Sequence, residues 1–279
     1  MFPTTLRRSA ALAVVALGAF GAGTAAADTT VAADPSARNV TAYATTVAWS
    51  RRAADGWHLV VSVNGVSADA PVPASPVAYD PDLGPTKANG RAIVYARRGD
   101  LYRYDVGAAS EQKLTALSSS ANEAAPSFFK DTIVFSRTNG KRPGTYLSRP
   151  GRKLTRIFRT VAAESDVAET RIAGRYGKGA KSIIRVLNMN AEDVRIVARA
   201  KAGQHVASPT LTRFNAIWLR VGRTQSTVEQ VGVNAHRGLD VLAADRPLDG
   251  QVQSLASFKI PTFYTNEDGV RSVTPKLRF

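Results

Sequence analysis

Acidic side chains recur at a regular interval in this sequence, where they could together bind a cation. Asp82 lies three residues before Pro85, and Glu123 lies three residues before Pro126. The residues at or near this place in successive intervals are Asp82, Glu123, Glu164, His205 and Asp249. Converging carboxylates can hold a divalent cation such as calcium, or the amine of a basic peptide. The alternative is that these side chains serve only to form turns.

Residue types for covalent or metal catalysis are scarce. The chain has no cysteine, which excludes a disulfide framework and a thiolate site. Its three histidines, His58, His205 and His236, leave little material for a zinc centre or a Ser-His-Asp triad. We therefore assign no catalytic residue and no cofactor, apart from the cation that the acidic residues could hold.

A second candidate binding region is strongly basic. Between Arg137 and Arg185 there are thirteen basic residues and three acidic ones. The basic residues are Arg137, Lys141, Arg142, Arg149, Arg152, Lys153, Arg156, Arg159, Arg171, Arg175, Lys178, Lys181 and Arg185. Such a field concentrates anionic partners, and the alternative is a solvated rim that protects strand edges. Nucleic acid is not expected, because the sequence contains no recognisable nucleic-acid-reading motif.

All of these residues lie on a repeat whose period, about 40 residues, is typical of β-propeller blades. The run AIVYAR at 92–97 matches TIVFSR at 132–137, and each run is followed by a turn and a second strand. Both units end in KLT, at 113–115 and at 153–155. More divergent copies complete a set of six equivalent positions: Trp49, Tyr95, Phe135, Gly174, Leu219 and Phe263.

The repeat predicts an all-β fold, a six-bladed β-propeller with four antiparallel strands in each blade. A blade of this kind needs about 40–45 residues, and the Asn-Gly and Asp-Gly pairs suit its tight hairpins. A pair of β-sandwiches or a parallel β-helix is the alternative, but neither requires a landmark that recurs at this interval. In a propeller the loops entering the innermost strands meet at one mouth of the central channel, where we expect the acidic residues. For ring closure we expect residues 39–44 and the carboxyl end, 275–279, to share a blade.

The amino-terminal segment has the form of an export signal. Arg7 and Arg8 precede an apolar run at 9–22, and three alanines at 25–27 resemble a signal-peptidase site. The sequence therefore predicts a cleaved signal peptide at 1–27, a flexible lead at 28–37 and one propeller domain at 38–279. The mature chain is expected to be a secreted or cell-envelope monomer with no transmembrane segment, exported by either the general or the twin-arginine route.

Residues 78–157 carry a resemblance to a known family. The strand LYRYD at 101–105, followed by KLT at 113–115, resembles the repeat of the TolB-like β-propellers. The turn that precedes the apolar strand in that family is reduced here to KANG at 87–90 and to FKD at 129–131. The resemblance covers only the propeller part of the family and implies a WD-like repeat protein that binds other proteins.

Two functions remain open. The first is a secreted, non-catalytic TolB-like propeller that serves as a platform for a protein or an anionic cell-envelope polymer. The alternative is a hydrolase or lyase at the channel mouth, of the enzymatic propeller type and possibly cation-dependent. The Asp-box motif of sialidases and the G-x-S-x-G motif of the α/β-hydrolases are absent from the sequence.

Overall fold

The computed structural model describes residues 28–190, 192–232, 246–248, 252–257 and 262–273. These residues form six four-stranded antiparallel sheets. The innermost strands of neighbouring sheets contact one another in a closed ring, so the sheets are the blades of a β-propeller. The predicted fold class is confirmed.

The strands follow one another blade by blade. The amino-terminal strand β1 is Thr29–Ala32, and the first blade comprises β2 (Arg38–Tyr43), β3 (Thr46–Ala53), β4 (Gly56–Val63) and β5 (Val66–Asp69). The second comprises β6 (Asp82–Pro85), β7 (Arg91–Arg97), β8 (Asp100–Asp105) and β9 (Ser110–Lys113), and the third β10 (Glu123–Phe129), β11 (Thr132–Arg137), β12 (Gly144–Ser148) and β13 (Thr155–Phe158).

The remaining blades repeat this order. The fourth comprises β14 (Glu164–Ala168), β15 (Arg171–Tyr176), β16 (Ile183–Asn188) and β17 (Arg195–Arg199). The fifth comprises β18 (His205–Leu211), β19 (Asn215–Val221), β20 (Ser226–Gly232) and β21 (Arg246–Pro247), and the sixth contains β22 (Ser254–Ser257), β23 (Thr262–Asn266) and β24 (Gly269–Val273). Single 3-10 turns occur at Thr115–Leu117 and Gly179–Lys181.

Apolar side chains fill the spaces between neighbouring blades. Leu59 of β4 packs with Ile93 and Tyr95 of β7 between the first and second blades, and all three are fully buried. Ile184 of β16 and Trp218 of β19 pack together between the fourth and fifth. Because neighbouring blades cover both faces of each inner strand, these strands read as unbroken apolar runs rather than alternating ones.

The ring is closed by the amino-terminal strand. β1 is the fourth and outermost strand of the sixth blade, where it pairs antiparallel with β24. The Tyr264 hydroxyl of β23 donates a hydrogen bond to the Asp28 carboxylate. Val31 and Ala32 pack against the buried cluster that joins the sixth blade to the first. One blade is thus built from both ends of the described chain.

Two expectations about the chain ends were wrong. Residues 39–44, which we expected in the closing blade, lie almost entirely on β2, the innermost strand of the first blade. The lead at 28–37 is not a flexible segment throughout, because it contains β1, which covers the edge of β24 that would otherwise be open. The carboxyl end at 275–279 and the proposed signal peptide at 1–27 lie outside the described residues.

Candidate binding channel

The innermost strands of all six blades line a central channel. Its cavity has a volume of about 400 Å³ and is bordered by β2, β6, β10, β14, β18 and β22. Since every blade repeats the same strand order, each of these strands begins at the same end of the channel. We call the face at which they begin the entrance face, and the opposite one the exit face.

Four carboxylates line the channel, at its entrance and midway along it. Asp80 and Asp82 belong to the second blade and the loop before it, and Glu164 and Asp166 belong to the fourth. Asp80 is an exposed residue, but the space to which it is exposed is the channel that the blades enclose. This is the densest group of like charges among the channel-lining residues that the structure describes.

Pairing register shows which positions of the blades are equivalent. Asp82 lies opposite Val94, Ser127 lies opposite Val134, and Asp166 lies opposite Ala173. Because Val94 and Val134 occupy the same place in successive copies of the repeat, the blade-three equivalent of Asp82 is Ser127. In the first and fifth blades, pairing with the same place on the second strand gives Thr41 and Thr210. All of these equivalent side chains except Ser127 line the channel, which therefore contains a polar layer with two carboxylates.

Side chains of this layer hold neighbouring blades together. The Asp82 carboxylate accepts a hydrogen bond of 2.5 Å from the Phe128 backbone amide of the next blade, and one of 3.2 Å from the Thr41 hydroxyl of the previous blade. The Asp166 carboxylate accepts one from the Leu211 backbone amide of the fifth blade. Because these acceptors satisfy buried amides, the two aspartates stabilise the ring as well as charging the channel.

The surroundings raise the pKa of three of these carboxyl groups. Burial, and then the charge of Glu164, raises the pKa of Asp80 to about 7. Burial, and then the charge of Asp166, raises the pKa of Asp82 well above its usual value. Burial also raises the pKa of Asp166 to about 6, although hydrogen bonds from Leu211 and Val167 act in the opposite direction. Desolvation is the largest cause of all three shifts, and the nearby like charges add to it at Asp80 and Asp82.

Glu164 is held in a different way. Its carboxylate accepts a hydrogen bond of 3.0 Å from the Arg175 guanidinium and another from the Ser208 backbone amide of the fifth blade. Arg175 thus lies close enough to offset part of the negative charge at the entrance. Asp80, Asp82 and Asp166 have no such ion pair among the described residues.

The exit half of the channel carries charges of both signs. Lys130 lies 3.9 Å from Glu169 and over the ring of Phe129, and Arg213 lies over the ring of Phe214. Burial, and then the charge of Glu169, raises the pKa of the Tyr43 hydroxyl. The channel is therefore acidic from its entrance to its middle and mixed at the exit.

Only some of the acidic residues singled out in the sequence line the channel. Asp82 and Glu164 line the channel, as their place in the repeat suggested. Glu123 does not: it is buried between blades, where it accepts a hydrogen bond from Ser119 and pairs with Arg137 at 3.1 Å. His205 begins β18 and is not among the residues lining the channel, and Asp249 lies outside the described residues.

Sequence reasoning missed Asp80 and Asp166. A usable signal was present, because Asp80-Pro81-Asp82 and Glu164-Ser165-Asp166 repeat an acidic-x-Asp pattern at a spacing of two blades. The prolines chosen as landmarks concealed it, since Pro85 ends β6 whereas Pro126 lies within β10.

The basic residues singled out in the sequence do not form one patch. The blades are meanders, so the turns between second and third strands lie on the entrance face, and the turns between third and fourth strands lie on the exit face. Lys141, Arg142, Arg159, Lys178 and Lys181 are exposed on the entrance face. Arg152 and Lys153 are exposed on the exit face, next to the half-buried Arg149.

Other members of this set are engaged within the fold. Arg137 pairs with Glu123, Arg171 pairs with Asp193 at 3.3 Å, and Arg175 pairs with Glu164. Arg156 donates a hydrogen bond of 3.3 Å to the Pro143 carbonyl, and Arg185 lies over the rings of Phe158 and Tyr176. These five side chains stabilise blades three and four.

Two further features bear on function. Among the described residues, no three His, Asp or Glu side chains are arranged closely enough to hold a metal ion. No helix in that part of the chain is long and apolar enough to cross a membrane.

Comparison with known proteins gives structural matches only. No family model matches the chain, and no curated protein matches its sequence. The structure of TolB from Acinetobacter baumannii is similar, with a TM-score of 0.51 and 14% identity over 84% of this chain and 64% of TolB. In fold, this chain is a six-bladed β-propeller similar to that of TolB. The likeness predicted from residues 78–157 is confirmed at that level.

The TolB-like fold is shared with proteins of several kinds. The tricorn protease matches with a TM-score of 0.59 and 12% identity over 86% of this chain and 25% of the protease. Streptogramin B lyase matches with a TM-score of 0.53 and 7% identity over 88% of this chain and 96% of the lyase. The chain spans less than two thirds of the length of the tricorn protease and of TolB.

Proposed function

We propose that this chain is a non-catalytic binding propeller whose channel receives a cationic group of a protein partner. The group would be a lysine or arginine side chain, or an amino terminus. The presence of Asp80, Asp82 and Asp166 in one channel supports the proposal. We also propose that the protein is a monomer and acts outside the cytoplasm. The export-like sequence at 1–27 supports the location.

The raised pKa values favour a cation in this channel. Each carboxyl is costly to ionise because it is desolvated and lies near other carboxyls. A positive group between them would remove the mutual repulsion and favour the ionised forms. Binding should therefore strengthen as the pH rises through the interval from about 6 to about 7, and should release protons near pH 6.

Trilysine is a suitable probe of the channel. We expect the variant carrying Asp80→Asn and Asp82→Asn to bind trilysine about tenfold more weakly than the parent at pH 8 and low salt, because two negative charges are lost. Isothermal titration calorimetry measures the affinity, and a change in the heat between buffers of different ionisation enthalpy measures the protons released. Asn retains an oxygen that can accept the amide of Phe128, so the fold should persist.

A matched control removes the same charge elsewhere. Glu192→Gln with Asp193→Asn neutralises two exposed carboxylates in the turn between β16 and β17, on the exit face. This variant should bind trilysine like the parent. Equal weakening in both variants would mean that net charge, rather than the channel, attracts the probe, and the proposal would then fail.

A cation-assisted hydrolase or lyase is the second candidate function. It is favoured by Asp80, because a carboxyl with a pKa of about 7 can exchange a proton at neutral pH. One similar structure is an oligogalacturonate lyase in complex with manganese, with a TM-score of 0.52 and 10% identity over 80% of this chain and 68% of the lyase. A rise in melting temperature with calcium or manganese that disappears in Asp82→Asn with Asp166→Asn would favour this candidate over the first.

A further inference from the structure

Seven exposed basic side chains form an arc on the entrance face, outside the channel. They lie in the turns and connecting loops of the third, fourth and fifth blades, at 138–143, 159–163, 177–182, 200–204 and 222–225. The members of this basic arc are Lys141, Arg142, Arg159, Lys178, Lys181, Lys201 and Arg223. They are brought to one face because second-to-third-strand turns and blade-to-blade loops lie at the same end of every meander.

The side chains of the arc are unpaired in the described part of the chain. None of its seven side chains forms an ion pair with a described carboxylate, and its loops contain no acidic residue. By contrast, the basic side chains that point into blades three and four are paired, as Arg137 is with Glu123 and Arg175 with Glu164. Unpaired cations with a common orientation create a positive potential that attracts a polyanion.

The arc lacks the features of a protein or nucleic-acid interface. Its loops contain no Phe, Tyr or Trp, so they offer no ring on which a base could stack. The large apolar side chains that the described residues expose are Val66, Val77, Val194 and Phe214, and none of them lies in the arc. Protein interfaces depend on buried apolar or aromatic anchors, whereas polyelectrolyte binding needs charge and the release of counterions.

We infer that the basic arc binds a linear polyanion that carries its charge on phosphate groups and has no aromatic bases. Four of the arc's seven residues are lysines, in a chain with 37 lysine and arginine residues of which ten are lysines. Lysine binds phosphate as a point charge and the arginine fork binds it in a bidentate way, so both residue types of the arc suit phosphate groups. A groove of about 610 Å³ beside Gly203 and Arg223 gives the polymer a concave place at one end of the arc.

Long-chain inorganic polyphosphate tests the inference. Lys178→Glu with Lys181→Glu should weaken its binding about tenfold or more at 0.1 M salt, and should reduce the slope of log affinity against log salt. Arg152→Glu with Lys153→Glu makes the same change in net charge on the exit face and should leave the affinity within about twofold of the parent. Both pairs are exposed turn residues, and circular dichroism establishes that both variants are folded.

The outcomes distinguish polyphosphate binding by the basic arc from cation binding in the channel. Asp80→Asn with Asp82→Asn should retain polyphosphate binding even if trilysine binding is absent altogether, since the arc does not use these carboxylates. Equal loss of affinity in the two glutamate variants would overturn the inference, because attraction would then follow net charge. Tighter binding of single-stranded DNA or polyglutamate than of polyphosphate, at matched chain charge and salt, would also overturn it.

Discussion

Gly269→Ala is expected to lower the free energy of unfolding by about 3 kcal/mol or more, whereas Gly65→Ala should lower it by about 1 kcal/mol. Both glycines have positive φ, +130° at Gly269 and +83° at Gly65, so alanine is strained at either position. Only Gly269 is also confined. A Cβ atom there would lie 2.2 Å from the Ala32 carbonyl oxygen, whereas nothing lies within 4 Å of a Cβ at residue 65.

The difference between these variants measures how much ring closure contributes. Gly269 begins β24, and Ala32 ends β1, so the clash falls on the contact that joins the amino terminus to the last blade. Relieving it requires β1 to move away from β24, which would expose the edge of that strand and uncover part of the cluster around Trp49 and Phe263.

Urea unfolding followed by tryptophan fluorescence measures both variants against the parent. The midpoint should fall much further for Gly269→Ala than for Gly65→Ala, and the transition should stay a single one if the closed ring unfolds as a unit. Equal shifts would show that positive φ alone is responsible and that β1 does not secure the ring.

The repeat allowed most of the fold to be predicted because the second strand of every blade is covered by neighbouring blades and must be apolar. Residues 92–97 and 132–137 are apolar throughout their middle, and the structure places them as β7 and β11, the covered second strands of two blades. Pairing register shifts two of the six equivalent positions by one residue, from Leu219 to Trp218 and from Phe263 to Tyr264. A one-residue error of this kind reverses the face to which a side chain points.

The closing strand was not predictable in the same way. β1 has the sequence TTVA, its first two residues are exposed, and it resembles no other part of the repeat. An outermost strand is paired along one edge only, so little about its composition is constrained. Its role depends on pairing with β24, which lies at the opposite end of the described chain. The sequence of β1 does not indicate with which strand it pairs.

The acidic layer was only partly predicted, because β-bulges shift the residue spacing between equivalent positions of the blades. In β10 the register shifts between Ala124 and Ser127, and Ala125 has a φ of +47°. The extra residue shifts the count by one in this blade, and the proline landmarks shift it further, because Pro85 ends β6 whereas Pro126 lies within β10. Since β6 and β14 have no such shift in their pairing, Asp82 and Asp166 keep the same place in their blades.

Asp82→Asn with Asp166→Asn is expected to raise the free energy of unfolding by about 2 kcal/mol at pH 8, after allowance for water in the channel, and by about half as much at pH 5. Burial raises the pKa of both carboxyls in the folded state, and the charge of Asp166 raises that of Asp82 further. The folded protein therefore retains protons that the unfolded chain has lost at the same pH. The stability of the parent should therefore fall as the pH rises from about 4 through the raised pKa values of about 6 at Asp166 and about 7 at Asp80.

This dependence is opposite in sign to ordinary acid denaturation, in which paired carboxylates lose stability as they are protonated. Urea midpoints between pH 5 and pH 8 measure it, and Glu192→Gln with Asp193→Asn is the control. Asp193 has a lowered pKa because of its hydrogen bond to Arg195, so it is ionised in both states over this range and its removal should leave the slope unchanged.

The same carboxyls link stability to the proposed function. If their ionised forms destabilise the empty channel, trilysine should stabilise the parent more at pH 8 than at pH 5, and should have little effect on Asp82→Asn with Asp166→Asn at either pH. A parent protein whose stability rises between pH 5 and pH 8 would contradict this account. Ionisation of the channel carboxyls would then not destabilise the fold, and a bound cation would relieve no repulsion between them.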